Sequence, residues 1–190
     1  MEPEPVLCDT DAILDRALPN LQASSTLIFN CEGVNLGERG GFLSLITLRT
    51  IHPSSSQCYL IDIVRLSPAA LSHVFTLLRS SSILKIVFDG RMGFSSLYHE
   101  YGVEIQGILD LQLVDVASRR ESPEEHLERL GKYLKHGEIN ANERMYVDVH
   151  RLRGLAECVR EHTAANPPDV SKGQGESIRL NAFIFLTFIH

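Results

Sequence analysis

Apolar and polar residues alternate in short blocks over the first third of this chain and then fall into helical spacing. Leu27-Ile28-Phe29 followed by Asn30-Cys31-Glu32 reads as a buried strand, from Thr26 to Cys31, that delivers an acid at its tip. Side chains alternate along a strand, so with Cys31 turned into the core, Asn30 and Glu32 share the opposite face. Phe42 to Leu48 reads as a second strand, the hairpin partner of the first across a turn rich in glycine and charge at 36–41. Gln57 to Ile63 is a third strand, after the turn His52-Pro53-Ser54-Ser55-Ser56. Three strands on short turns predict an antiparallel meander.

The period then changes. Ahead of the meander, Met1 to Cys8 reads as a disordered lead, and Asp9 or Thr10 caps a first helix that Pro19-Asn20 ends. After it, Ser67-Pro68 opens a helix with Leu71, Val74, Phe75 and Leu78 on one stripe. Leu84 to Phe88 is a fourth strand ending in Asp89-Gly90, followed by a helix from about Gly93 to Tyr101. Ile105 to Leu109 is a short fifth strand leading into Asp110, and Leu111 to Ser118 a helix. Further helices are predicted from Ser122-Pro123, carrying Leu127, Leu130 and Leu134, and over Met145 to His162, with a polar loop from Lys135 to Glu143 between them. Strands alternating with helices predict an α/β domain with a mixed sheet.

Composition narrows the class. The 190 residues suffice for one domain with a core, and 44% hydrophobic with 22% charged residues is ordinary for a globular protein. The net charge of −6 argues against a module that binds nucleic acid mainly by phosphate neutralisation, though not against an enzyme that places acids at a metal site. Four cysteines show no zinc-ligand spacing, and Cys31 and Cys58, in apolar strands, read as buried thiols of a reducing compartment. The acidic, proline-containing N-terminus is neither a secretory signal nor a transit peptide, and the longest apolar run, Ala182 to Ile189, is too short to span a bilayer. These features point to an intracellular protein of nucleus or cytoplasm, not secreted and not membrane-bound. The segment 36–41 lacks phosphate-loop spacing. The aromatic tail after Val170 reads as an extra strand or, preferably, as a segment belonging to no fold, from a truncated or misread frame.

Two runs carry a resemblance. FNCEGVNLGERGGFLSLITL is similar to the first motif of the 3′–5′ exonuclease domain of the ribonuclease D and Werner-helicase type, where the strand ends in Asp-x-Glu. KIVFDGRMGFSSLYHEYGVEIQGILDLQLVDV resembles that family's second motif and the Asp-Thr-Gln run after it. The resemblance covers Thr26 to Ala117. It implies an α/β, ribonuclease-H-like mixed sheet, an antiparallel three-strand meander plus parallel strands, with helices on both faces. With the sequence pattern, the domain reading is residues 1–20 as N-terminal lead and helix, 21–165 as the exonuclease-like domain and 166–190 as an irregular tail. The resemblance also implies two-metal phosphodiester hydrolysis, with Mg²⁺ or Mn²⁺ ions about 4 Å apart held by four acids.

Carried over residue by residue, Glu32 matches the first-motif glutamate, a metal ligand and the catalytic candidate. Asn30 stands where the family has an aspartate; its amide oxygen either ligates a metal or fixes a turn by hydrogen bonds. Gly93 stands where the second-motif aspartate belongs and brings no side-chain ligand. Asp89 matches an acid the family does not use in catalysis and is a substitute ligand or a helix cap. Asp110 matches the acid of the Asp-Thr-Gln run. Arg91 contacts phosphate or pairs with a nearby acid. The third motif, Tyr-x-x-x-Asp, has one candidate in Asp148, but Arg144 stands four residues before it and Tyr146 two, so the motif is lost or lies beyond this chain. The scattered histidines, His162 among them, read as lying on solvated helix faces, and the Arg119-Arg120 pair as helix-end charges.

Of four expected acids only Glu32 is in place. The reading is therefore a 3′–5′ exonuclease-domain protein that binds single-stranded RNA or DNA at a 3′ end, needing Mg²⁺ or Mn²⁺ if active. The alternatives are a pseudoenzyme that binds nucleic acid or a protein partner, and a truncated product without activity.

Overall fold

The computed structural model describes residues 3–51, 56–120, 130, 134–146 and 149–163. The chain forms two compact units, Met1–Asp110 and Leu111–His190.

The first unit is built on a six-stranded mixed sheet in the order β1-β4-β3-β2-β5-β6. Its strands are β1 (Val6–Cys8), β2 (Thr26–Val34), β3 (Phe42–Thr50), β4 (Cys58–Asp62), β5 (Leu84–Val87) and β6 (Ile108–Asp110). β2, β3 and β4 are the antiparallel meander; β5 adds parallel to β2, β6 parallel to β5, and β1 parallel to β4. The supposed N-terminal lead is thus corrected: Val6 to Cys8 is an edge strand, because Cys8 finds a fully buried place beside Ile61.

Three helices belong to this unit: α1 (Asp11–Ala23), α2 (Pro68–Arg79) and α3 (Arg91–Tyr101). Pro19 sits inside α1 rather than ending it. An internal proline costs about 3 kcal/mol, but Leu14, Ala17, Leu18 and Leu21 bury on both sides of it, and Asn20 donates to Tyr59 Oη at 2.7 Å. Ser67 caps α2 by accepting from the Ala70 amide at 3.2 Å, ahead of Pro68 in the first turn. α3 starts two residues earlier than its apolar pattern suggests. It stops at Gly102, whose φ of +61° lets the Val103 amide fold back onto the Leu97 carbonyl at 3.0 Å.

The core lies on one face of the sheet. Leu27, Phe29 and Cys31 of β2, Leu43, Ile46 and Leu48 of β3, and Ile61 of β4 bury there with the apolar stripes of α1 and α2 and with Leu97 of α3. Phe29 stacks on Phe94 with ring centroids 6.3 Å apart. Lys85 is also fully buried; its Nζ donates to the carbonyls of Ser80 (2.5 Å) and Ile83 (2.8 Å).

The second unit contains α4 (Leu111–Arg120), α5 (His136–Ala141), a 3₁₀ turn (Glu143–Met145) and α6 (Leu155–His162). α4 turns its polar side inward: Gln112, Asp115 and Arg119 are buried while Leu113 is 59% exposed. Arg119 stands at the end of α4, as its helix-end reading has it, but is buried. The polar loop expected from Lys135 to Glu143 contains α5, and the long helix expected over Met145 to His162 is confined to α6. The chain stays extended before Gly154 because α4 claims its carbonyls: Arg119 Nη2 donates to Arg151 O at 2.7 Å and Gln112 Nε2 to Arg153 O at 2.9 Å. The helix expected from Ser122-Pro123, apart from Leu130 and Leu134, lies outside the described residues, as do Asp148 and the tail after Val170.

Candidate active site

β2 is an interior strand: β5 pairs with its first residues, Thr26 to Ile28, and β3 runs beside it out to Val34. Cys31 points into the core, and burial first, then the Glu32 and Glu100 charges, push its thiol well above the ordinary range. Asn30 and Glu32, both half-buried, share the other face, and Asn30 Nδ2 donates to Glu32 Oε1 at 2.9 Å. The Glu32 carbonyl accepts from Ser44 Oγ at 3.1 Å. The amide at position 30 thus uses its donor on the one acid beside it.

Gly93 lies on the other side of the strand. A Cβ built there would stand 2.9 Å from Cys31 Cβ and 3.1 Å from its Sγ. A side chain at position 93 would start toward Cys31, on the face opposite Asn30 and Glu32.

Asp89 and Asp110 form a separate arrangement at the start of α3. Asp89 is held at φ +54°. Its carboxylate does not cap α3; it is gripped by Arg91, Nε to Oδ1 at 2.6 Å and Nη2 to Oδ2 at 2.9 Å. That fork holds the Asp89 carboxyl below its usual range. The Asp110 carboxylate accepts from the amides of Asp89 and Gly90, both at 3.1 Å, and so fixes the unusual backbone between β5 and α3.

This donor set does not fit a two-metal centre. Such a centre needs several anionic oxygens facing both ions. Here one carboxylate shares its face with an amide that already donates to it, and Asp89 is neutralised by Arg91. Among the described residues no three His, Cys, Asp or Glu side chains converge as ligands.

A family model described as 3′–5′ exonuclease matches residues 5–152. The chain belongs to the 3′–5′ exonuclease family. Among solved structures, this exonuclease-family chain is similar to Trypanosoma brucei RNase D in its GMP complex, with a TM-score of 0.66 and 19% identity over 92% of this chain and 46% of that one. Escherichia coli RNase D follows with a TM-score of 0.63 and 17% identity, over 97% of this chain and 43% of that one. The EXO domain of Aedes aegypti Nibbler has a TM-score of 0.59 and 18% identity, over 96% of this chain and 82% of that one. The chain spans less than half the length of either of these RNase D chains. At such identities the likeness is one of fold, the ribonuclease-H-like α/β fold. No curated protein matches the sequence. Among the described residues no helix is long and apolar enough to cross a membrane.

Three features near this fold's site and in the second unit are not evident in the sequence. A bulge at Ser44 turns Phe42 onto the Glu32 face. Asp110 clamps the backbone between β5 and α3 by accepting from two successive amides. Asp115, 1% exposed, gathers Arg119 Nη2 (2.7 Å), His162 Nε2 (2.8 Å) and Arg153 Nη1 (3.5 Å), so His162 is no solvated histidine. Only the Asp115–Arg119 spacing of four residues on a helix hinted at the last of these.

Proposed function

We propose that this chain is a nucleic-acid-binding member of the 3′–5′ exonuclease family whose own residues do not carry two-metal hydrolysis. One observation carries the reading: Asn30 Nδ2 donates to Glu32 Oε1 at 2.9 Å, where the family's chemistry needs a second carboxylate. A single acid leaves the charge of two closely spaced cations without enough negative ligands. The nucleic-acid part rests on family membership and fold. The fold relative from Trypanosoma brucei was solved with GMP and with RNA U12, which favours single-stranded RNA as the ligand. The exonuclease domain of EXD2, another fold relative, was soaked in Mn and in Mg, so those ions are the ones to supply in a test.

Fluorescence anisotropy with a short oligouridine tests the reading. Binding is expected in EDTA and little changed by Mn²⁺. Affinity that appears only with Mn²⁺ contradicts it and favours the second reading, an active exonuclease using Glu32 as its ligand.

A further inference from the structure

α4 is held by its polar side. Gln112 donates to the Arg153 carbonyl, and Asp115 accepts from Arg119, from Arg153 and from His162 of α6, so these bonds fix which way the helix is turned. Leu113, Val114 and Ala117, at i, i+1 and i+4, are thereby left together on an exposed face. Leu113 is 59% exposed and Val114 43%. A helix with its polar side inward and its apolar side outward reverses the usual amphipathic arrangement.

The same chain carries a matching segment. α6 ends beside α4, with His162 Nε2 2.8 Å from Asp115 Oδ1 and the Thr163 amide closing on the Val159 carbonyl at 2.9 Å. Past that point the sequence continues through residues 164–179, polar and holding Pro167-Pro168 and Gly173-Gln174-Gly175. It then reaches residues 180–189, LNAFIFLTFI, with Phe183, Phe185 and Phe188 and no charged side chain. Residues 164–179 can span at most about 50 Å when extended, and a helix with its side chains is only about 10–12 Å across. The apolar run is therefore long enough tethered to reach the outer face of α4 from the end of α6.

We propose that residues 180–189 cover the face of α4 formed by Leu113, Val114 and Ala117, within the same chain. Three side chains are too few to hold a separate protein, which takes about 800 Å² from each partner. A tethered segment needs far less, because its linker keeps it at an effective concentration of about millimolar. Both surfaces are apolar and uncharged, so their contact buries no unpaired charge. The proposal concerns the second unit alone and stands apart from the nucleic-acid reading.

The chain has no tryptophan, so Leu113→Trp places a single reporting indole on the face. The test measures acrylamide quenching of that indole in the full chain over a range of protein concentrations. It is repeated with the tail made polar by Phe183→Ser, Phe185→Ser and Phe188→Ser. The unaltered tail is expected to shield the indole at every concentration, and the polar tail to raise quenching severalfold. Equal quenching with both tails overturns the proposal. Shielding that fades on dilution also overturns it and assigns the face to a second copy of the chain. The reciprocal measurement guards against a variant that fails to fold. The indole introduced by Phe185→Trp should emit at short wavelength and shift to longer wavelength when Leu113→Asp is added; an emission maximum that Leu113→Asp leaves in place overturns the proposal.

Discussion

Asn30 and Glu32, two positions apart on β2, hydrogen-bond to each other across 2.9 Å, amide to carboxylate. The pair is complete without a cation. Asn30→Asp would replace the donor with a second negative charge in contact with the first. The variant is expected to lose about 1–3 kcal/mol, with a melting temperature lower by several degrees and restored in part by Mn²⁺. The unaltered protein should melt at the same temperature with or without the ion. Thermal melts of both proteins in EDTA and in Mn²⁺ check this; a variant as stable in EDTA as the unaltered protein refutes it.

Gly93 packs on Cys31 with no room for a β-carbon. Alanine favours a helix interior by about 1 kcal/mol over glycine, yet Gly93→Ala is expected to destabilise by about 1–3 kcal/mol because the core is overfilled. Urea titration measures it. A neutral or stabilising result would show that α3 shifts freely away from β2.

Burial pulls the Lys85 amine down to about 8. Between that value and its ordinary 10.5 the unfolded chain holds a proton that the folded one has released. Stability therefore rises with pH across that window, and the burden of the charged amine is fully present below it. Lys85→Met removes this slope. Stability measured at intervals from pH 7.5 to 10.5 (about the width of the window) should climb for the unaltered protein and stay flatter for the variant; parallel curves contradict the assignment.

Asp115 organises the second unit. Burial opposes its ionisation, but His162, Arg119 and Arg153 together hold the carboxyl below its usual range. Its contribution is thus present above the unfolded carboxylate range and is lost as pH falls through the lowered value. Asp115→Asn leaves two buried or half-buried guanidinium groups poorly matched and is expected to cost about 3–5 kcal/mol. Hydrogen exchange should show α4 and α6 losing protection; unchanged protection there would mean the cluster contributes nothing.

The strand meander and α2 were legible because period-two alternation and the Ser67-Pro68 start are local signals. Glu32 near the end of the first strand was legible for the same reason, although β2 runs past it to Val34. What escaped depends on partners distant in sequence. Val6 to Cys8 becomes a strand only because β4 offers an edge. Pro19 stays helical only because the core takes residues on both sides of it. α4 shows an apolar stripe in the sequence, but the long-range bonds of Asp115 and Gln112 decide which side is inside. The Ser44 bulge has no composition signal, and it moves Phe42 from one face of the sheet to the other.

The central claim is binding without hydrolysis. The direct measurement incubates the protein with 5′-labelled single-stranded RNA and DNA in Mn²⁺ and in Mg²⁺, beside Glu32→Ala, and follows strand length. Bound strands of unchanged length, identical for both proteins, are the predicted result. Metal-dependent 3′ shortening by the unaltered protein that Glu32→Ala abolishes would contradict it.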